Sequence, residues 1–115
     1  MNNKWVPEAG DIVLVDFNSA VGHEQGGERP AVVLTPENAN RVLGICTIVP
    51  VTRQVKHYPF EVTLPGNCAC EVSGVVLCDQ IKTIDWVVRN IRKAGTVPGN
   101  IFEEIRDKIR TLLCL

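Results

Sequence analysis

The sequence has almost no net charge: 12 Lys and Arg against 13 Asp and Glu leave a formal charge of −1. That excludes a polycation that coats nucleic acid through its whole surface, so any phosphate-binding site has to be a local patch. Long hydrophobic runs are missing too. No stretch approaches the ~18 apolar residues a membrane span needs, and the opening MNNKWVPEAGD lacks the apolar core of a signal peptide, so a cytoplasmic protein is expected. Paired cysteine chemistry is also absent. Cys46, Cys68, Cys70, Cys78 and Cys114 make an odd count, and the CxC of GNCACE has neither the paired CxxC nor the His-rich spacing of a zinc site. Free thiols are expected, with Cys46 and Cys78 filling strand positions as small hydrophobes and no metal or cofactor bound. Aromatic residues are scarce and do not cluster: Trp86 closes an apolar stretch as core or interface, and Trp5 anchors the N-terminal tail.

What is present describes one ordinary globular domain spanning residues 1–115, with 45% hydrophobic and 22% charged residues. DIVLVDF (11–17) is a β-branched run that leads into a polar loop. AVVLTP (31–36) and GICTIVPVT (44–52) predict two more strands, the second finishing at or near Pro50, with ENAN between them as a turn or a single helical turn. PFEVTL (59–64) alternates apolar with polar, and SGVVLCDQIKTID (73–85) predicts two strands broken near Asp79 and Gln80. Five or six short strands with turns between them predict a small barrel or a strongly bent sheet. After AGTVPGN, the spacing of Ile101, Ile105, Ile109, Leu112 and Leu113 predicts an amphipathic helix capped by Asn100, with Glu103 three residues on, packed against the sheet.

Polar residues are concentrated in GHEQGGERP (22–30), between two apolar strands. Arg29 precedes Pro30, which restricts it to extended backbone, and the glycines upstream let another chain come close. An always-charged planar fork held in this way suits a phosphate; equally, Arg29 can pair with Glu24 or Glu28 and pin the loop. Thr52 stands at the end of CTIVPVT, where a hydroxyl can be aimed from a rigid element. RQVKHYPF follows at once, and its Arg53, Lys56, His57 and Tyr58 either grip a single strand by charge and stacking or form a solvated loop. Asp79 and Gln80 offer a base and an edge-reading amide, or merely satisfy a turn.

Taken together, GDIVLVDFNSAVGHEQGGERPAVVLTPENAN, VPVTRQVKHYPFEV and GVVLCDQIKTID resemble the MazF/PemK family of toxin endoribonucleases from bacterial toxin–antitoxin systems, the MazF branch most. The likeness runs from about Gly10 to Asp85 and on through KAGTVPGN. It implies a small SH3-like β-barrel of the CcdB/MazF kind with a C-terminal helix, paired as a homodimer. It also implies metal-independent cleavage of single-stranded messenger RNA at a short recognition sequence, and neutralisation by an antitoxin with an acidic, partly disordered segment. Carried over by position, the catalytic residues are Arg29, Thr52 and the acidic Glu24. RNA contacts would come from Phe17, His23, Gln25 and Gly26 of the first loop, from Pro30, from Arg53, Lys56, His57 and Tyr58 of the second, and from Asp79 and Gln80. In the PemK-like branch Asp79 matches a base whose partner arginine is replaced here by Leu77, which shifts weight onto Arg29.

The implied chemistry is attack by the RNA 2′-hydroxyl on the adjacent phosphate, leaving a 2′,3′-cyclic phosphate and a 5′-hydroxyl. Arg29 and Thr52 are the residue types that stabilise charge on the phosphorane, and Glu24, Asp79 or water stands as the base. Two other functions fit the same architecture: a non-enzymatic gyrase poison like CcdB, and an SH3-like module that binds a peptide.

Overall fold

The computed structural model describes residues 5–16, 28–66 and 72–115. Within them the chain forms β1 (Asp11–Asp16), β2 (Glu28–Val33), α1 (Glu37–Leu43), β3 (Cys46–Thr52), β4 (Glu61–Thr63), β5 (Val75–Leu77), β6 (Lys82–Ile84), β7 (Arg92–Thr96) and α2 (Gly99–Leu113). All strand pairs are antiparallel. The order is β4-β5-β3-β2-β1-β7, with β6 also on β3. No pairing joins β4 to β7 among the described residues, so the ladder is a seven-stranded sheet that does not close. The fold is mainly antiparallel β with a C-terminal helix.

Successive side chains of a strand point to opposite faces, and here both faces of the central strands are buried. Ile12, Val32, Val49 and Val51 face one core, which also takes in Val62, Leu64, Val76, Val97 and Ile105 of α2. Val13, Val15, Ala31, Val33, Cys46 and Ile48 face a second core completed by Ile84, Ile91 and the half-buried Trp86. Burial on both sides explains why β1 reads as a continuous apolar run rather than an alternating one.

β3 is the organising strand. One edge pairs with β2 through Ile48, Val49 and Pro50. The other is shared: Cys46, Thr47 and Ile48 pair with β6, then Val51 and Thr52 with β5. Pro50 sits at the handover and has no N–H to donate. The strand expected to finish near Pro50 therefore runs on to Thr52, held by β5.

Other expectations are adjusted. ENAN is the start of a seven-residue helix rather than one turn, because Pro36 opens it in extended geometry and buried Asn40 fastens it. The Asn40 amide donates to the Pro7 and Thr35 carbonyls at 2.8 and 2.9 Å and accepts from the Thr35 hydroxyl at 2.6 Å. Trp86 Nε1 donates to the Asn40 carbonyl at 2.9 Å. The C-terminal helix starts at Gly99 with Pro98 as its N-cap, so Asn100 lies inside the helix and caps nothing. Pro98 already has the backbone that starts a helix, and its carbonyl accepts from Ile101 and Phe102. Ile101, Ile105 and Ile109 pack on the first core as expected, whereas Leu112 and Leu113 are exposed. Cys46 is a buried strand residue; Cys78 is equally buried but lies in the turn after β5. Among the described residues no helix is long and apolar enough to cross a membrane.

Candidate functional site

The β2–β3 register pairs Ala31 with Pro50. Carried two positions further along each strand, it sets Arg29 abreast of Thr52. The ladder does not extend that far. Pro30 and Pro50 cannot donate to it, and the two strand ends border an open cleft instead. The cleft has a volume of about 870 Å³ and is lined by Arg29, Pro30, Thr52, Arg53 and Gln54, with Leu14, Val51, Val72 and Ser73 as floor and wall and Arg92, Lys93 and Ala94 of β7 on the far side. Four of these are cations and, among the described residues, none is an acid. A chain of formal charge −1 thus gathers four cationic side chains around one cleft.

Each candidate side chain is held by its element. Arg29 lies opposite Val15 on β1, whose side chain is buried, so its backbone is fixed while the guanidinium is exposed. Glu28 does not pin it: the Glu28 carboxylate is taken by Arg92, with Nε at 3.1 Å and Nη2 at 2.5 Å. The half-buried Thr52 pairs with Val75, and its Oγ1 accepts the Gln54 N–H at 3.1 Å, which leaves the hydroxyl proton to donate elsewhere. Lys93 is bound to the buried carboxylate of Asp11 at 3.3 Å.

The loop after β3 divides. Arg53 and Gln54 line the cleft, whereas Lys56, His57 and Tyr58 do not. Glu61 folds this part back: its carboxylate accepts the Lys56 and His57 N–H groups, each at 2.9 Å, with His57 in left-handed geometry. Tyr58 donates to Asp79 Oδ1 at 2.7 Å. That hydrogen bond, with burial and the nearby carboxylates adding to it, pushes the Tyr58 phenol up to about 12. Asp79 and Gln80 are exposed and are not among the residues that line the cleft. Phe17, His23, Glu24, Gln25 and Gly26 lie outside the described residues, as do Cys68 and Cys70. Cys46 and Cys78 are free thiols raised by burial to about 11 and about 12. Among the described residues no three His, Cys, Asp or Glu side chains gather as a metal-holding group.

Sequence reasoning missed two contributors, Arg92 and Gly74. Arg92 lies just before KAGTVPGN, the approach to the helix, in a stretch to which no role was given. Gly74 has φ +122 and lies against the Thr52 backbone: an added Cβ would stand 2.8 Å from the Thr52 carbonyl carbon and 3.2 Å from the Arg53 Cα. A glycine beside a strand end was the available signal, but its neighbour was not.

Residues 8–113 match the model of the PemK-like, MazF-like toxins of type II toxin–antitoxin systems, and the chain belongs to that family. It is similar to the endoribonuclease toxin MazF of Escherichia coli (strain K12), with 46% identity over 113 residues that cover 98% of this chain and 99% of that one. Among solved structures it is similar to MazF (Form-I) from Deinococcus radiodurans, with a TM-score of 0.84 and 44% identity over 97% of this chain and 100% of that one. The MazE–MazF complex (Form-II) from the same organism matches with a TM-score of 0.84 and 40% identity over 96% and 97% of the two chains.

Proposed function

We propose that this chain is the toxin of a toxin–antitoxin system and acts as an endoribonuclease, cutting single-stranded messenger RNA by attack of the RNA's own 2′-hydroxyl. The toxin class follows from the family, and the endoribonuclease activity from relatives that carry that name over nearly the whole length. The observation that carries the mechanism is the meeting of Arg29 and Thr52 at one cleft whose described lining residues include four cations and no acid.

In this reading the scissile phosphate lies between the ends of β2 and β3. As the 2′-oxygen bonds to phosphorus, negative charge grows on the non-bridging oxygens. The Arg29 guanidinium offers them a planar pair of donors, and the Thr52 hydroxyl, its lone pair already engaged by Gln54, donates a further hydrogen bond. The P–O5′ bond then breaks and the departing 5′-oxygen takes a proton from water or from the acid formed when the base accepts the 2′-hydroxyl proton, giving a 2′,3′-cyclic phosphate and a 5′-hydroxyl. Charge stabilisation from the protein's own cations is the reason to expect activity without a metal. Asp79 is the weaker candidate for the base, since its carboxylate accepts from Tyr58 and it does not line the cleft; Glu24 or water takes that part.

The bent, unclosed sheet is read as a form of the SH3-like CcdB/MazF barrel, working as a cytoplasmic homodimer. MazE–MazF complexes of the relatives support an antitoxin as partner, and an acidic segment suits the charge of the cleft. Purified protein incubated with a long RNA in EDTA tests the activity: mapped cuts at a repeated short sequence are expected. Intact RNA beside poisoned gyrase would support the CcdB-like alternative instead.

A further inference from the structure

We propose that Arg92 is a phosphate-gripping residue of the RNA path and that Glu28 is the carboxylate that orients and masks it in the free protein. The inference rests on reading the cleft as an RNA site and adds a substrate contact to it on a phosphate beside the scissile one.

The geometry starts from β1. Leu14 is flanked by Pro30 on β2 and by Arg92 on β7, so both neighbours stand on its face of the sheet. Glu28 is two residues before Pro30 on that face, and Arg92 reaches across β1 to meet it with two guanidinium nitrogens on two carboxylate oxygens. A planar fork already set in bidentate geometry is the arrangement a phosphate also takes from arginine.

The four cations of the cleft differ in what holds them. Arg29 and Arg53 have no ion-pair partner among the described residues. Lys93 is tied to Asp11, whose side chain is only 5% exposed, and serves the fold. Arg92 and Glu28 are 59% and 37% exposed, a setting in which an ion pair contributes little to stability. Stability is therefore a poor reason for the pair. Its loss on exchange is correspondingly small, and a phosphate can replace the carboxylate while the fork stays in place.

The test measures binding to a single-stranded DNA copy of an RNA that the wild type cuts, which keeps the phosphates but lacks the 2′-hydroxyl. Affinity is followed by fluorescence anisotropy between about 50 and 200 mM KCl. Replacing Arg92 with glutamine should weaken binding about tenfold at low salt and reduce the slope of log affinity against log salt by about 0.7, the value of one phosphate contact on a single strand. Arg92→Lys should keep the slope while losing part of the affinity. Glu28→Gln should tighten binding several-fold, because the masking charge is gone. Thermal melts confirm that each variant is folded. An Arg92→Gln protein with the wild-type slope and affinity, in a chain that still cuts RNA, would overturn this assignment alone, as would Glu28→Gln binding no tighter than wild type. A wild-type chain that neither binds nor cuts would overturn the RNA reading and this assignment with it.

Discussion

Gly74 is packed directly against the backbone of Thr52, with a left-handed φ that side-chain-bearing residues rarely adopt. The end of β3 that presents the Thr52 hydroxyl is therefore set by the residue leading into β5. Gly74→Ala would place a methyl group within 2.8 Å of the Thr52 carbonyl carbon and would also strain its own backbone. A loss of at least ~2 kcal/mol is expected from the two effects together. Urea denaturation measures it, and RNA cleavage should fall further than the folded fraction does, because Thr52 is displaced.

Arg29 and Thr52 should separate chemistry from stability. Arg29 is exposed on a strand whose backbone is held from the other side, so Arg29→Ala should melt within about 0.5 kcal/mol of wild type. Loss of its donors in the transition state should cost ~3 kcal/mol, roughly a hundredfold or more in single-turnover cleavage rate. Thr52→Ser retains the hydroxyl and should keep most of the activity; Thr52→Val removes it and should not. A folded Arg29→Ala protein that cuts at the wild-type rate would take Arg29 out of the site.

Tyr58 is the sole tyrosine of the chain, so tyrosinate absorbance near 295 nm reports on it alone. The protonated phenol is the donor to Asp79, and this contact is intact below the ordinary value of 10.0 and lost as the pH rises through about 12. The titration midpoint should lie well above 10.0 in the native protein and move back toward it in Asp79→Ala. Equal midpoints in the two proteins would show that the hydrogen bond does not persist in solution.

The thiols divide by burial. Cys46 and Cys78, raised by burial, should resist iodoacetamide at about pH 8 in the native state, whereas exposed Cys114 should be alkylated readily. Peptide mass spectrometry before and after unfolding in urea checks this.

Much of the framework was legible in the residues. The β-branched runs at β1, β2 and β3 and the isoleucine stripe of α2 are patterns whose burial follows from their period. β7 was not legible, because Arg92-Lys93-Ala94-Gly95-Thr96 has no apolar alternation; the ladder with β1 makes it a strand. The helix cap was misassigned because Asn100 is a good cap in isolation, but Pro98 starts the helix sooner. The closeness of Arg29 to Thr52 depends on the β2–β3 register, which is settled across an intervening helix and cannot be counted along the chain. Their residue types and flanks marked them as candidates, the family resemblance gave them a catalytic role, and the fold set them side by side. The opposite happened at Arg92 and Gly74, residues with no motif that gain a role only through what lies beside them.

In the proposed reaction the RNA serves as its own nucleophile between Arg29 and Thr52. Two oligonucleotides that contain a mapped cut site, identical except for a single 2′-deoxy sugar at the nucleotide cut, should be incubated with the protein in EDTA. The all-ribose strand should be cut to 2′,3′-cyclic phosphate and 5′-hydroxyl ends while the deoxy strand stays intact. Cutting of both strands at the same rate, or cutting only after a divalent metal is restored, would contradict it.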